Sequence, residues 1–252
     1  MQNSTTENLP ILYTSLADWF HLLTAPEDYV EEAEFFYQVI IQKSDQPSRT
    51  LLELGSGGGN NASHLKAHFD LTLVDISNPM LTISQQLNPE CEHIQGDMRD
   101  IRLERLFDVV FIHDAIGYMT DEDDLSRTIE TAYLHCRPGG TILLVPDHVK
   151  ENFRPSTSHG GHDGKDRGIR YLEWTWDPDP EDTTYISEMV YTMKDAQDQI
   201  RIEHDRHIMG IFHRQTWVKL FSELGLQVEV IPFDHSELEP GTYEVFIAKK
   251  VI

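Results

Sequence analysis

Between Thr50 and Val145 short apolar runs alternate with stretches of mixed polarity. The runs Leu51–Leu54, Leu71–Val74, Cys91–Gln95, Phe107–Ile112 and Thr141–Val145 are too short for helices and lack the polar alternation of half-exposed strands, so they read as buried parallel strands. The first few are separated by spacers of about 15–20 residues, which suits right-handed strand–helix–strand crossovers. Leu125–Leu134 is the best-formed intervening helix, and Arg137-Pro138-Gly139-Gly140 reads as a stop and turn before the next strand. The pattern predicts an α/β fold with a doubly wound sheet and helices on both faces.

Upstream, the polar residues 1 to about 12 predict a frayed terminus. Apolar residues at helical spacing from Tyr13 to Gln42, divided at Pro26, predict two helices, the second opened by an acidic turn at Pro26-Glu27-Asp28. Downstream, His148 to about Gly168 is rich in Gly, His, Asp and Pro and has no periodicity, as a long functional loop or lid would. Ile169–Trp176, Thr184–Met193 and Gln199–Met209 then alternate roughly and are separated by turn residues, predicting an antiparallel meander. Thr216–Leu224 returns to helix, and Gln227–Ile231 and Tyr243–Ala248 close the sheet, bringing it to seven mostly parallel strands. The expected organisation is a main domain of residues 1–147 and 210–252 with N-terminal helices, carrying an antiparallel insertion of residues 148–209 that binds the acceptor and acts as its lid.

Of the 252 residues, 43 are acidic and 20 basic, a formal net charge of −23. That surface repels phosphate backbones and anionic lipid, so neither nucleic acid nor membrane is an expected partner. Hydrophobic residues make up 39% of the chain, enough for a core rather than a disordered chain. Cys91 and Cys136 have no CxxC spacing and no second pair, so they read as reduced buried thiols. No signal-like start or long apolar span is present, and a cytoplasmic protein is the default expectation.

The sharpest motif is Leu51-Leu52-Glu53-Leu54-Gly55-Ser56-Gly57-Gly58-Gly59, a strand running into a glycine-rich turn. Such a turn serves NAD, FAD or a nucleoside. A dinucleotide fingerprint counted from Gly55 would require glycine at position 60, where the chain has Asn60. Glu53, two residues before Gly55, places negative charge near the ligand, which is awkward for a pyrophosphate and suited to an amino-bearing molecule. Asp75 and Asp97 follow at later strand ends, one suited to ribose hydroxyls and the other to an adenine amino group. An adenosine lacking phosphates fits all three features.

On these residues the chain resembles the class I S-adenosylmethionine-dependent methyltransferases, with a Rossmann-like sheet, over roughly Leu51 to Val145. The resemblance implies S-adenosylmethionine as cofactor. It places the family's glycine-rich motif on Glu53, Gly55, Ser56, Gly57 and Gly59, its ribose-binding acid on Asp75 followed by Ile76, and its adenine-side acid on Asp97 followed by Met98. Phe107 to Asp114 looks like the family's fourth-strand motif. A narrower likeness is to enzymes that methylate the amino group of sugars, on Tyr13, Asp28 to Glu32 and Ile116 to Met119; His113-Asp114 departs from it. The resemblance implies that the N-terminal helices close over the cofactor, making Tyr13 and Tyr29 candidate contacts.

Methyl transfer from a sulfonium needs mainly alignment and exclusion of water, with a base where the acceptor arrives protonated or is a hydroxyl. Histidines at strand ends suit that role. His113 and His148 follow the fourth and fifth strands, and His207 lies on the last meander strand, facing opposite to His204. His113 is also a candidate cofactor contact. His159, His162 and Asp163 have metal-like spacing, but they sit in a polar turn, so no metal is expected. Trp174 and Trp176 share a strand face and read as the small core between meander and sheet, or as a roof over the site. The function expected is methylation of a small-molecule acceptor, an amine or a hydroxyl. An NAD-dependent oxidoreductase and a non-catalytic S-adenosylmethionine-binding protein are the alternatives, and the oligomeric state is open.

Overall fold

The computed structural model describes residues 9–44, 46–233, 235–236, 241 and 243–251. Five parallel strands form where the apolar runs stand: β1 (Thr50–Leu54), β2 (Asp70–Asp75), β3 (Glu92–Gln95), β4 (Phe107–His113) and β5 (Cys136–Val145). They join β10 (Gln227–Phe233) and β11 (Tyr243–Lys249) in a seven-stranded sheet of order β10-β11-β5-β4-β1-β2-β3, antiparallel only at β10–β11 and β11–β5. β1 and β4 are buried on both faces because helices cover both. α2 (Val30–Lys43) and α3 (Asn60–Leu65) lie on one side, with Phe36 and Ile40 packed on Leu51, Val109 and Phe111. α5 (Glu122–His135) and α6 (Arg214–Glu223) lie on the other, with Leu125, Ile129 and Trp217 packed on Val110 and Ile142. α4 (Asn78–Leu87) follows β2 and is capped by Ser77, whose hydroxyl accepts from Met80 N.

A second, four-stranded antiparallel sheet contains β6 (Ser156–Gly160), β7 (Gly168–Trp176), β8 (Thr184–Lys194) and β9 (Ile200–Gly210) in sequential order. The meander is as predicted. β6 was hidden in the predicted loop, because Ser-Thr-Ser-His-Gly shows no hydrophobic alternation and is held by its ladder to β7.

Three further expectations are corrected. The first N-terminal helix is instead a series of 3₁₀ turns at Ile11–Tyr13 and Ala17–Trp19 leading to the single turn α1 (Phe20–Leu23). Its apolar residues serve two surfaces: Leu12, Leu16 and Leu23 pack on Ile169 and Tyr191 of the second sheet, while Ala17 packs on Met80 and Ile83 of α4. Residues 9–12 are therefore anchored, with Leu12 buried; residues 1–8 lie outside the described residues. Finally, Arg137-Pro138-Gly139-Gly140 is part of β5 and not a turn before it. Gly139 N donates to Lys250 O and Lys250 N donates to Gly140 O, so β11's end pairs with the glycines.

Candidate active site

The carboxyl ends of β1, β2, β4 and β5 open into a cavity of about 1550 Å³. The N-terminal turns and one face of the second sheet form its other walls. A single small-molecule site occupies roughly 300–1,000 Å³, so this cavity has room for two ligands.

On the β1–β2 side the chain leaves β1 through glycines in the left-handed region. Gly55 has φ +74, and a Cβ there would lie 2.3 Å from Ala115 Cβ, so only glycine permits this close approach. Gly57 N donates to Asp75 Oδ2 and Ser77 N to Asp75 Oδ1, fixing the carboxylate at the cavity wall. Glu53 is 3% exposed, and its Oε2 has no hydrogen-bond partner; Ser56 Oγ is also buried and unpartnered. Burial, with Asp75 and Glu32 nearby, pushes the Glu53 carboxyl up to about 8. Ile76 and Met98 line the same wall. Half-burial raises the Asp97 carboxyl, but Arg99 outweighs it and holds the group below the usual carboxylate range. Arg99 Nη2 lies 2.6 Å from Asp97 Oδ2, and its Nη1 lies 2.7 Å from Asp124 Oδ2.

Gly59 is not on the cavity wall. Its φ of +77 starts α3, and a Cβ would lie 2.3 Å from Ser84 Oγ, so this glycine lets α3 pack on α4. Tyr13 and Tyr29 both reach the cavity. The N-terminal segment is tied there by Ser77 Oγ donating to Tyr13 O at 2.5 Å and by His21 Nε2, 2.9 Å from Gly58 O.

On the β4–β5 side, His113 is enclosed by Phe36, Phe111 and Tyr29. Asn61 Nδ2 lies 3.2 Å from His113 Nδ1. An amide NH₂ can only donate, so Nδ1 accepts and Nε2 carries the hydrogen, 3.1 Å from Asp114 Oδ1. Burial keeps this imidazole neutral by lowering its pKa, against the opposing pull of Glu32. Asp114 has φ 44 and ψ −49, a strained conformation for a side-chain-bearing residue. Its carboxyl is hydrogen-bonded to that of Asp147, two residues beyond β5. Burial first, then Glu32, pushes Asp114 up to about 8; burial and Asp114 together raise Asp147 well above the carboxylate range. Above about pH 8 the two carboxyls hold one proton between them, because two adjacent buried carboxylates cannot both ionise cheaply.

His148 also lines the cavity, with Nδ1 buried and unpartnered, and burial lowers it to about 4. His207 reaches the wall from β9, where its Nδ1 lies 2.7 Å from the Tyr118 hydroxyl. Tyr118 spends its single hydroxyl hydrogen on Tyr13, 3.0 Å away, so His207 Nδ1–H donates to Tyr118. Behind it, His207 Nε2, which makes no hydrogen bond, lies 3.3 Å from Asp205 Oδ2, the oxygen that accepts from Leu12 N. His204 faces the other way and pairs with Glu188 at 2.5 Å. The metal-like trio does not assemble: His162 faces Asp28 at 3.6 Å, Asp163 pairs with Arg170, and no metal-binding group of three is present among the described residues.

The tryptophan expectation is overturned. Trp174 is 55% exposed and packs on Trp176 with ring centroids 4.6 Å apart, on the face of β7 away from the cavity. Sequence reasoning gave no role to Asp147 or Glu173, and reached Glu32 and Tyr118 only as members of the segments that carry the narrower likeness. Asp114 and Asp147 carried one usable signal: each follows the end of one of two adjacent parallel strands paired His113↔Val145.

Residues 51–140 match the family model described as a methyltransferase domain. The chain is 27% identical over 207 residues to the dTDP-3-amino-3,4,6-trideoxy-alpha-D-glucopyranose N,N-dimethyltransferase of Streptomyces venezuelae, covering 81% of this chain and 86% of that one. Its fold is similar to the sugar N-methyltransferase KedS8 from Streptoalloteichus sp., with a TM-score of 0.81 at 20% identity over 100% and 98% of the two chains. It is also similar to S-adenosylmethionine-bound CalS10, an amino pentose methyltransferase from Micromonospora echinaspora, with a TM-score of 0.75 at 17% identity over all of both chains.

Proposed function

We infer that this chain, which is a class I S-adenosylmethionine-dependent methyltransferase, methylates an amine nitrogen on a small polar acceptor of the amino-sugar kind. The oxidoreductase alternative is set aside with that identification. The observation that carries the amine reading is the Asp114–Asp147 acid pair at the strand ends, facing the cavity. The curated relative that acts on a nucleotide-linked amino sugar supports it.

The residues on the β1–β2 side fit S-adenosylmethionine. Glu53 Oε2 and Ser56 Oγ are buried polar atoms with no protein partner, as a site awaiting an ammonium and a carboxylate requires. Asp75 would take the ribose hydroxyls, Asp97 with Met98 the adenine, and Gly55, Gly57, Ile76, Tyr13 and Tyr29 the enclosing surface. When bound, the sulfonium supplies an electrophilic methyl group, so the protein's own work is alignment, exclusion of water and handling one proton.

An acceptor arriving as an ammonium must lose a proton before its lone pair can attack. The Asp114–Asp147 pair both attracts the ammonium and takes that proton. His113 Nε2–H holds Asp114 in place, and His207 holds Tyr118 and through it Tyr13; in this role both are positioning residues. His148 Nδ1 accepts a hydrogen bond from the acceptor. Residues 1–147 and 210–252 then make the cofactor-binding part, and residues 148–209 the acceptor-binding part.

The test is incubation with S-adenosylmethionine and either the methyl glycoside of 3-amino-3,6-dideoxyglucose or its 3-hydroxy counterpart, followed by mass spectrometry with fragmentation. Methyl groups on nitrogen are expected. Transfer only to oxygen in the hydroxy compound would overturn the amine reading.

A further inference from the structure

We propose that the cavity-facing side of β6, β7 and β8 is a second acceptor subsite, centred on Glu173, that receives an additional ammonium group of a polyhydroxylated acceptor. This rests on the amine-methylating reading above. A sheet covering a cavity ordinarily turns its apolar side inward and its polar side to water. Here the second half of β7 is reversed, after an ordinary first half in which Ile169 is buried and Arg170 exposed: Leu172 and Trp174 are exposed on the outer face, while Glu173 and Thr175 line the cavity.

The ladder makes the inward face a row of hydroxyls. Ser158 pairs with Glu173, Ser156 with Thr175 and Thr175 with Ser187. Ser158 Oγ donates to Glu173 Oε2 at 2.9 Å, and Ser187 Oγ donates to Oε1 at 2.7 Å. Two hydroxyls thus fix the carboxylate in one orientation and use two of its roughly four acceptor sites, leaving the others for the cavity. No Lys, Arg or His side chain among the described residues forms an ion pair with it. A fixed carboxylate that faces the cavity with no ion-pair partner among the described residues, although Arg154 also lines that cavity, gains most from a cation that loses water on entry. The field of Glu173 reaches Asp147, so the acid pair and Glu173 act as two poles of one ligand space. One pole serves the nitrogen that is methylated; the other serves a second amine that is not.

The experiment measures binding to enzyme loaded with S-adenosylhomocysteine by calorimetry, using 2-deoxystreptamine as a hydroxylated diamine and the methyl glycoside of 3-amino-3,6-dideoxyglucose as a monoamine. The diamine is expected to bind about tenfold more tightly, as one charge-assisted contact allows. Glu173→Gln should remove that advantage while leaving S-adenosylhomocysteine affinity unchanged. Equal loss for both amines would make the row a hydroxyl reader and overturn the cationic subsite, as would absence of diamine binding or an advantage that survives the substitution. If the monoamine is still methylated on nitrogen in those cases, the function proposed above stands and only the subsite falls.

Discussion

Tyr118 donates its hydroxyl hydrogen to Tyr13 while accepting from His207, linking the turn after β4 and the N-terminal segment to β9. With Asp205 behind His207, the line ties three chain segments far apart in sequence into one wall. His207→Phe leaves the Tyr118 oxygen without its donor and Asp205 facing an apolar ring. It should cost about 1–3 kcal/mol in urea unfolding, the usual result of orphaning buried polar groups. A loss confined to turnover, with stability unchanged, would mean that His207 acts directly on the substrate.

The acid pair predicts the pH dependence of turnover. Asp114 is held near 8, so its base form accumulates as pH rises, and kcat/KM for an amine acceptor should climb with an inflection near pH 8. Asp114→Asn should flatten that limb and lower kcat/KM by about a hundredfold, as expected for loss of a general base. An unchanged profile in the variant assigns the inflection to the amine.

Glu53 makes a prediction about stability without ligand. Its folded pKa, about 8, stands above the ordinary glutamate value of 4.5, so the folded state holds the proton more tightly than the unfolded state across that interval. Stability therefore falls as pH rises from about 4.5 to 8 and levels off above. Asp114 adds the same sign, from 3.8 to about 8. Glu53→Gln should make the decline of melting temperature over this range shallower, while weakening S-adenosylhomocysteine binding by about tenfold. A steeper decline would contradict the sign.

Asp75 holds the amides of Gly57 and Ser77 as well as facing the cavity. Asp75→Ala should weaken S-adenosylhomocysteine by at least about tenfold in calorimetry, since the loop loses its anchor and the ligand an acceptor. Unchanged affinity would remove Asp75 from the cofactor site.

The parallel sheet was legible because strands buried on both faces read as continuous apolar runs, and Leu51–Leu54 and Phe107–Ile112 are such runs. The glycine loop and Asp75 were legible because close backbone approach imposes residue type at fixed spacing. Gly59 looked equivalent to Gly55 and Gly57, since spacing does not say whether a missing Cβ makes room for a ligand or for Ser84. The histidines drew attention at the strand ends because their ordinary pKa lies near neutrality. Asp114 and Asp147 beside them acquire unusual proton affinity only from mutual proximity and burial, which a linear chain does not display. Trp174 was assigned to the inner face and lies on the outer one, with Glu173 inside instead: a polar cavity inverts the usual rule for which side of a strand is inside.

The junction of the two sheets has one point without slack. Gly210, the last residue of β9, lies so close to the Met119 carbonyl that a Cβ would fall 1.8 Å from its oxygen. The missing side chain acts as a gauge block, setting the clearance between strand ends and second sheet by backbone contact rather than by compressible packing. On the proposed reading, making room there for a thicker acceptor would require movement of backbone and not of rotamers alone.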